Sequence, residues 1–144
     1  MASPGGDRAV ALSLQLAQAH QRLRDQIAEV RAGLGHRRLS DDTLATHCLA
    51  FCDALTSHHR SEDEGMFSDL LRERPDLAPT IAKLIEDHEL IAGILSSIRK
   101  LADKAVDSGN ESAEAIGREL DGLAAIMESH FRYEERTISQ AFSQ

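Results

Sequence analysis

Aromatic side chains are scarce in this sequence. Only 3 % of its 144 residues are aromatic, with no Trp, one Tyr and four Phe. Strands favour such side chains, and single-stranded nucleic acid is held on platforms of them, so both are disfavoured. Basic charge is short too. Sixteen Lys and Arg face 24 Asp and Glu, and the net charge of −8 opposes binding to a phosphate backbone. No run approaches the roughly 18 consecutive apolar residues that cross a bilayer. The most apolar early stretch, residues 9–19, is broken by Ser13, Gln15 and Gln18. Its flank lacks the basic start of a signal peptide, so residues 1–6 read as a flexible tail and the protein as cytoplasmic. Cys48 and Cys52 lie four apart on one expected helix, a poor geometry for a mutual disulfide, and read as small core-lining thiols.

What remains is 42 % hydrophobic, enough for one domain with a buried core, expected over residues 7–141. Histidine is the anomaly, with seven against three Met and two Cys. Their placement depends on the helices. Gly33 and Gly35 close one pattern, and Ser40-Asp41-Asp42 offers an N-cap with an acidic first turn. Pro75 and Pro79 bracket a turn, and Ser108-Gly109-Asn110 supplies a stop followed by a cap. Helices are predicted over residues 7–34, 41–74, 79–107 and 111–140. The first carries an inward stripe of Leu16, His20, Leu23, Ile27, Val30 and Leu34. The second carries Cys48, Phe51, Leu55, His58, Glu62, Met66 and Leu70. The third carries Ile81, Leu84, His88, Ile91, Leu95 and Ile98. The fourth carries Leu120, Leu123, Met127, His130, Glu134, Thr137 and Ala141. Short connections make neighbours antiparallel, so the fold class is all-α, an up-down-up-down four-helix bundle with a metal site in its core.

Each stripe thus contains one histidine, and two also contain a glutamate. His58 lies 18 residues after Ser40, His130 lies 20 after Asn110, and His88 lies 19 before Asp107. At about 1.5 Å per residue these heights agree within roughly 3 Å. Glu62 and Glu134 each follow their His by four residues, one turn along and about 40° round. Bare carboxylates among imidazoles in an apolar core are costly, and no Lys or Arg occupies these stripes at that level. A metal centre removes the contradiction. Six ligands exceed one tetrahedral site and suit a dinuclear one.

The other polar residues near the site read as bystanders. His59 points about 100° from His58 and reads as a surface or interhelical residue. His36 falls in a loop, and His47 is eleven residues from His58, too far to join it. Asp63, Glu64 and Glu135 read as a solvated face or as partners for Arg60, Arg132 and Arg136. Two candidates for a chemical role remain. Tyr133 precedes Glu134 and is placed to reach a metal or donate a hydrogen bond near it, and Arg24 is placed to anchor an anionic substrate.

His20, the run His58-His59-Arg60-Ser61-Glu62, His88 and the run His130-Phe131-Arg132-Tyr133-Glu134 resemble the haemerythrin-like, or HHE cation-binding, family over residues 10–140. The resemblance implies a non-haem di-iron centre, two Fe ions bridged by Glu62, Glu134 and an oxo or hydroxo group. His20 and His58 would be terminal on one iron, His88 and His130 on the other. It also implies O2, another small diatomic such as NO, or peroxide as the ligand, with neither nucleic acid nor membrane as a partner. One departure bears on activity. Oxygen-carrying members have two histidines four apart on the third helix, whereas Leu84 and Ala92 stand at those distances from His88 here. Each iron is then left one ligand short, which favours redox chemistry over plain carriage. Three functions stay open: an O2-binding protein, a di-iron oxidase or oxygenase acting on a small, for example nitrogen-containing, substrate, and a metal-responsive structural or regulatory module.

Overall fold

The computed structural model describes residues 4–35, 42–108 and 110–141, and no strand occurs among them. Five helices form four rods: α1 (Pro4–Gly35), α2 (Asp42–Ser61) with α3 (Phe67–Glu73), α4 (Ala78–Ser108) and α5 (Asn110–Ala141). Each rod packs on two others, α1 and α4 both lying between α5 and α2, so the two Glu-bearing rods stand diagonally opposed. The expected four-helix bundle is the fold found. No helix among the described residues is long and apolar enough to cross a membrane. The capping residues Ser40, Asp41 and Gly109, and His36, lie outside the described residues.

The first helix begins at Pro4, within the stretch expected to be a tail. Proline suits a first turn because its missing N–H is one that would lack a helical partner anyway. At the other end of the second rod, Arg74 precedes Pro75 and leaves the helical region at φ −134°, ψ 76°. The steric clash of the proline ring with the preceding residue forces that exit. Arg74 then donates from Nη1 to the Ala141 carbonyl at 2.7 Å, tying this turn to the end of α5.

The second rod is not one regular helix. A π-helical turn, Glu62–Met66, separates α2 from α3, and the Phe67 N–H reaches back five residues to the Glu62 carbonyl. The extra residue corrects the expected stripe. After Glu62 the next fully buried side chain is Phe67, five positions on, while Met66 is only half-buried. On α5 the buried residue is Ile138 rather than Thr137. Single π turns inside helices occur often at functional sites, because they re-aim the side chains around them.

Two apolar clusters fill the interior. The larger includes Leu23, Ile27, Phe51, Leu55, Ile91 and Leu123, and the smaller includes Leu16, Phe67, Leu70, Ile81, Leu84 and Ile138. Each large apolar side chain so buried contributes about 1.5–3 kcal/mol. Cys48 and Cys52 are free and belong to the larger cluster, as expected. Between the two clusters, at residues 20, 58–62, 88 and 130–134, the stripes turn polar on all four rods at once.

Candidate metal centre

His20, His59, Glu62, His88, His130 and Glu134 are each at most 6 % exposed, and His58 is 14 % exposed. Buried polar groups normally find hydrogen bonds, yet four atoms here have none: His58 Nε2, His59 Nε2 and both oxygens of Glu62. They are not remote from partners. Glu62 Oε2 lies 3.3 Å from His58 Nε2, and Glu62 Oε1 lies 3.2 Å from His88 Nε2, at angles that make no hydrogen bond. Lone pairs converging on common points, rather than on each other's protons, are what a cation needs.

The two carboxylates divide their oxygens between two groups of imidazoles. Glu62 Oε2 faces His20 and His58, at 4.0 and 3.3 Å, while its Oε1 faces His88. Glu134 Oε1 faces His20 at 3.1 Å, and its Oε2 faces His130 at 3.1 Å and His88 at 3.6 Å. Two groups able to hold a metal ion result: His20, His58, Glu62 and Glu134, and His59, Glu62, His88 and His130. Within each, the ligand atoms lie within 4.8 Å of one another. The six residues expected as ligands therefore lie close together, His20 and His58 in one group and His88 and His130 in the other.

His59 corrects that expectation. It is buried, not at the surface, its ring stacked on that of His88 with centroids 3.8 Å apart and planes at 10°. Burial, with His88, His58 and His130 as neighbours, pushes its pKa down to about 2, so it is neutral. A fifth imidazole thus lies beside the other four, on the second rod rather than the third.

The acidic residues expected to be solvated are also reassigned. His20 Nδ1 donates to Glu135 at 2.9 Å, His88 Nδ1 to Asp63 at 2.8 Å and His130 Nδ1 to Asp87 at 3.1 Å. Each such bond turns the ring so that Nε2 points toward the centre, the arrangement that carboxylates impose on metal-binding histidines. Glu64, by contrast, is exposed as expected. Asp63→Ala is expected to weaken metal binding about 10- to 100-fold, with Glu64→Ala unchanged, in competition titrations against a chelator.

Arg24 does not point into the centre. Its Nε and Nη2 donate to Glu128 at 2.8 and 3.2 Å, and Nη2 also to Glu135 at 3.2 Å, while its guanidinium lies 5.4 Å from the Phe131 ring. With its donors on these carboxylates it is a poor substrate anchor, and it steadies Glu135 behind His20. Tyr133 packs on the smaller apolar cluster with Arg136 over its ring at 5.9 Å, and its hydroxyl makes no hydrogen bond to the centre among the described residues.

In the protein without metal, the carboxylates hold protons on the imidazoles. Burial would lower His88, but Glu134, Glu62 and Asp63 outweigh it and push its pKa up to about 10. His20 is likewise raised, burial being overcome by Glu134 and Glu135. Glu62 is raised by burial and by Glu134 beside it. Glu134 is held well below the usual range despite burial, by the carboxyl of Glu62 beside it and by His130, His20 and His88.

A comparison with protein families agrees with this geometry. Residues 13–142 match the family described as Hemerythrin HHE cation binding domain. The chain belongs to the haemerythrin HHE cation-binding family. No curated protein and no solved structure matches it significantly. Membership makes this haemerythrin-like bundle a cation-binding fold, and the four buried imidazoles, the half-buried His58 and the two buried carboxylates are the place in it suited to a cation.

Proposed function

We propose that this haemerythrin-like protein holds two iron ions at the junction of its four rods and uses them to bind or activate O2 or a related small molecule such as NO or peroxide. His20, His58, Glu62, His88, His130 and Glu134 supply the ligands, with Glu62 and Glu134 bridging. The observation that carries this reading is the division of each carboxylate between the two imidazole groups. A single ion would use both oxygens of a carboxylate on one side. Imidazole with bridging carboxylate suits iron, and the bound ions would supply the redox capacity that the side chains lack. Anaerobic loading with Fe(II) is expected to give two ions per chain, with a new near-ultraviolet absorption band on exposure to O2. A stoichiometry of one, or a spectrum indifferent to O2, would overturn this reading.

A cleft of about 340 Å³ reaches His58 and Glu62 past Leu12, Leu16, Met66 and Leu70. It favours a second reading, an oxidase or oxygenase that takes a small substrate beside the centre. Reversible spectral cycling with O2 supports the binding protein, and O2 consumption coupled to substrate turnover supports the enzyme.

A further inference from the structure

We infer that His59 is a metal ligand, the third imidazole on the ion held by His88 and His130, and that the centre is therefore asymmetric. The inference rests on the dinuclear reading above and adds to it a residue that the spacing of the motifs does not supply.

Three observations carry it. First, His59 Nε2 is fully buried and has no hydrogen-bond partner. A neutral imidazole leaves one nitrogen lone pair to satisfy, and burying it unpaired costs about 1–3 kcal/mol. Second, a ring nitrogen of His59 lies within 4.8 Å of one ligand atom each of Glu62, His88 and His130. Third, its buried Nε2 has counterparts in the histidines around it. His20, His88 and His130 turn Nδ1 outward to a carboxylate and Nε2 inward, and His58 also buries an unpartnered Nε2. Stacking on His88 alone would make His59 a packing plate. The orphaned nitrogen makes it a ligand.

The consequence is unequal coordination. His59, His88 and His130 would give one ion three imidazoles beside the two carboxylates, whereas His20 and His58 would give the other only two. Two equally open metals, expected from the lack of a second histidine on the third helix, would thus be replaced by one open metal. It is the one beside the cleft that reaches His58. Any added small anion or diatomic is directed there.

The test uses the full chain loaded anaerobically with Fe(II), read by metal analysis and by the rate of iron release to a chelator. His59→Phe keeps an aromatic plate on His88 and removes the nitrogen. It is expected to retain one ion, or to release the second at least tenfold faster than the parent, with an unchanged far-ultraviolet circular dichroism spectrum. His59→Gly gives an independent readout, because a second cleft, also about 340 Å³ and lined by His59, Asp63 and His88, admits small molecules to the vacated position. Added imidazole should restore the second ion there, and toluene, which refills the space without a nitrogen, should not. Two ions in His59→Phe with parental release rates, or equal rescue by toluene, would overturn the inference while leaving the dinuclear reading intact. A parent chain that holds fewer than two ions sinks the dinuclear reading itself, and the His59 assignment with it.

Discussion

Glu62→Gln is expected to lose at least one of the two metal ions while the bundle stays folded. Glutamine keeps the shape of the side chain but replaces one charged oxygen with an amide NH2, which has no lone pair to give a metal. Glu62 is the residue common to both candidate groups, its oxygens 3.3 Å from His58 and 3.2 Å from His88. Nothing else satisfies them, since both oxygens lack hydrogen bonds. Glu134→Gln should lose metal too, for a parallel reason, because Glu134 faces His20 with one oxygen and His130 with the other. The double variant should hold neither ion, as judged by metal analysis after gel filtration. Far-ultraviolet circular dichroism of the metal-free variants checks that the bundle stays folded. Two ions persisting in the double variant would end the bridging assignment. Glu64→Ala, on the exposed side of the same turn, is the control that should change nothing.

The contrast between Glu62 and Glu64 was readable from spacing, because a residue four places from a buried histidine returns to the same face. The same wheel left His59 undecided between the surface and a place between helices. It measured directions from His58 as if that residue faced the bundle axis, whereas the inward direction of α2 falls between the two. His58 is in fact the more exposed of the pair, 14 % against 6 % for His59. The π turn was invisible for a related reason. A stripe of Glu62, Met66 and Leu70 looks as regular as Glu62, Phe67 and Leu70, and only tertiary packing selects the second. Asp63, Asp87 and Glu135 were missed because surface acids adjoin most helices, and a carboxylate partner to a buried Nδ1 depends on the neighbouring rod. Asp63 serves His88 on α4, and Asp87 serves His130 on α5. One-helix patterns reveal which face is buried. They do not reveal which exposed edge abuts another helix's ligand.

Metal uptake is expected to expel protons and to strengthen steeply as pH rises through neutrality. In the metal-free protein His88 has a pKa of about 10 and so carries a proton at pH 7, and His20, raised as well, keeps its proton to higher pH than a free imidazole. Each proton sits on an Nε2 that faces the carboxylates and that a metal must occupy. Every proton displaced makes the apparent affinity rise about tenfold per pH unit while the group stays protonated. Folding stability of the metal-free bundle should move the other way. A histidine whose folded pKa lies above its unfolded value, about 6.5, stabilises the fold fully below that pH. The gain is lost as pH climbs through the folded value, near 10 for His88. His59, lowered to about 2, acts in the opposite sense, since below pH 6.5 the unfolded chain takes up a proton that the folded site refuses. The metal-free bundle should therefore be most stable just below neutrality and weaken toward pH 9. The loaded bundle, whose imidazoles no longer carry those Nε2 protons, should weaken far less. Thermal melts of both forms at pH 6, 7.5 and 9 measure this widening gap, and a pH indicator in weak buffer counts the protons released on loading. Uptake without proton release, or melting curves that keep the same separation at all three pH values, would mean that the carboxylates do not hold protons on these imidazoles.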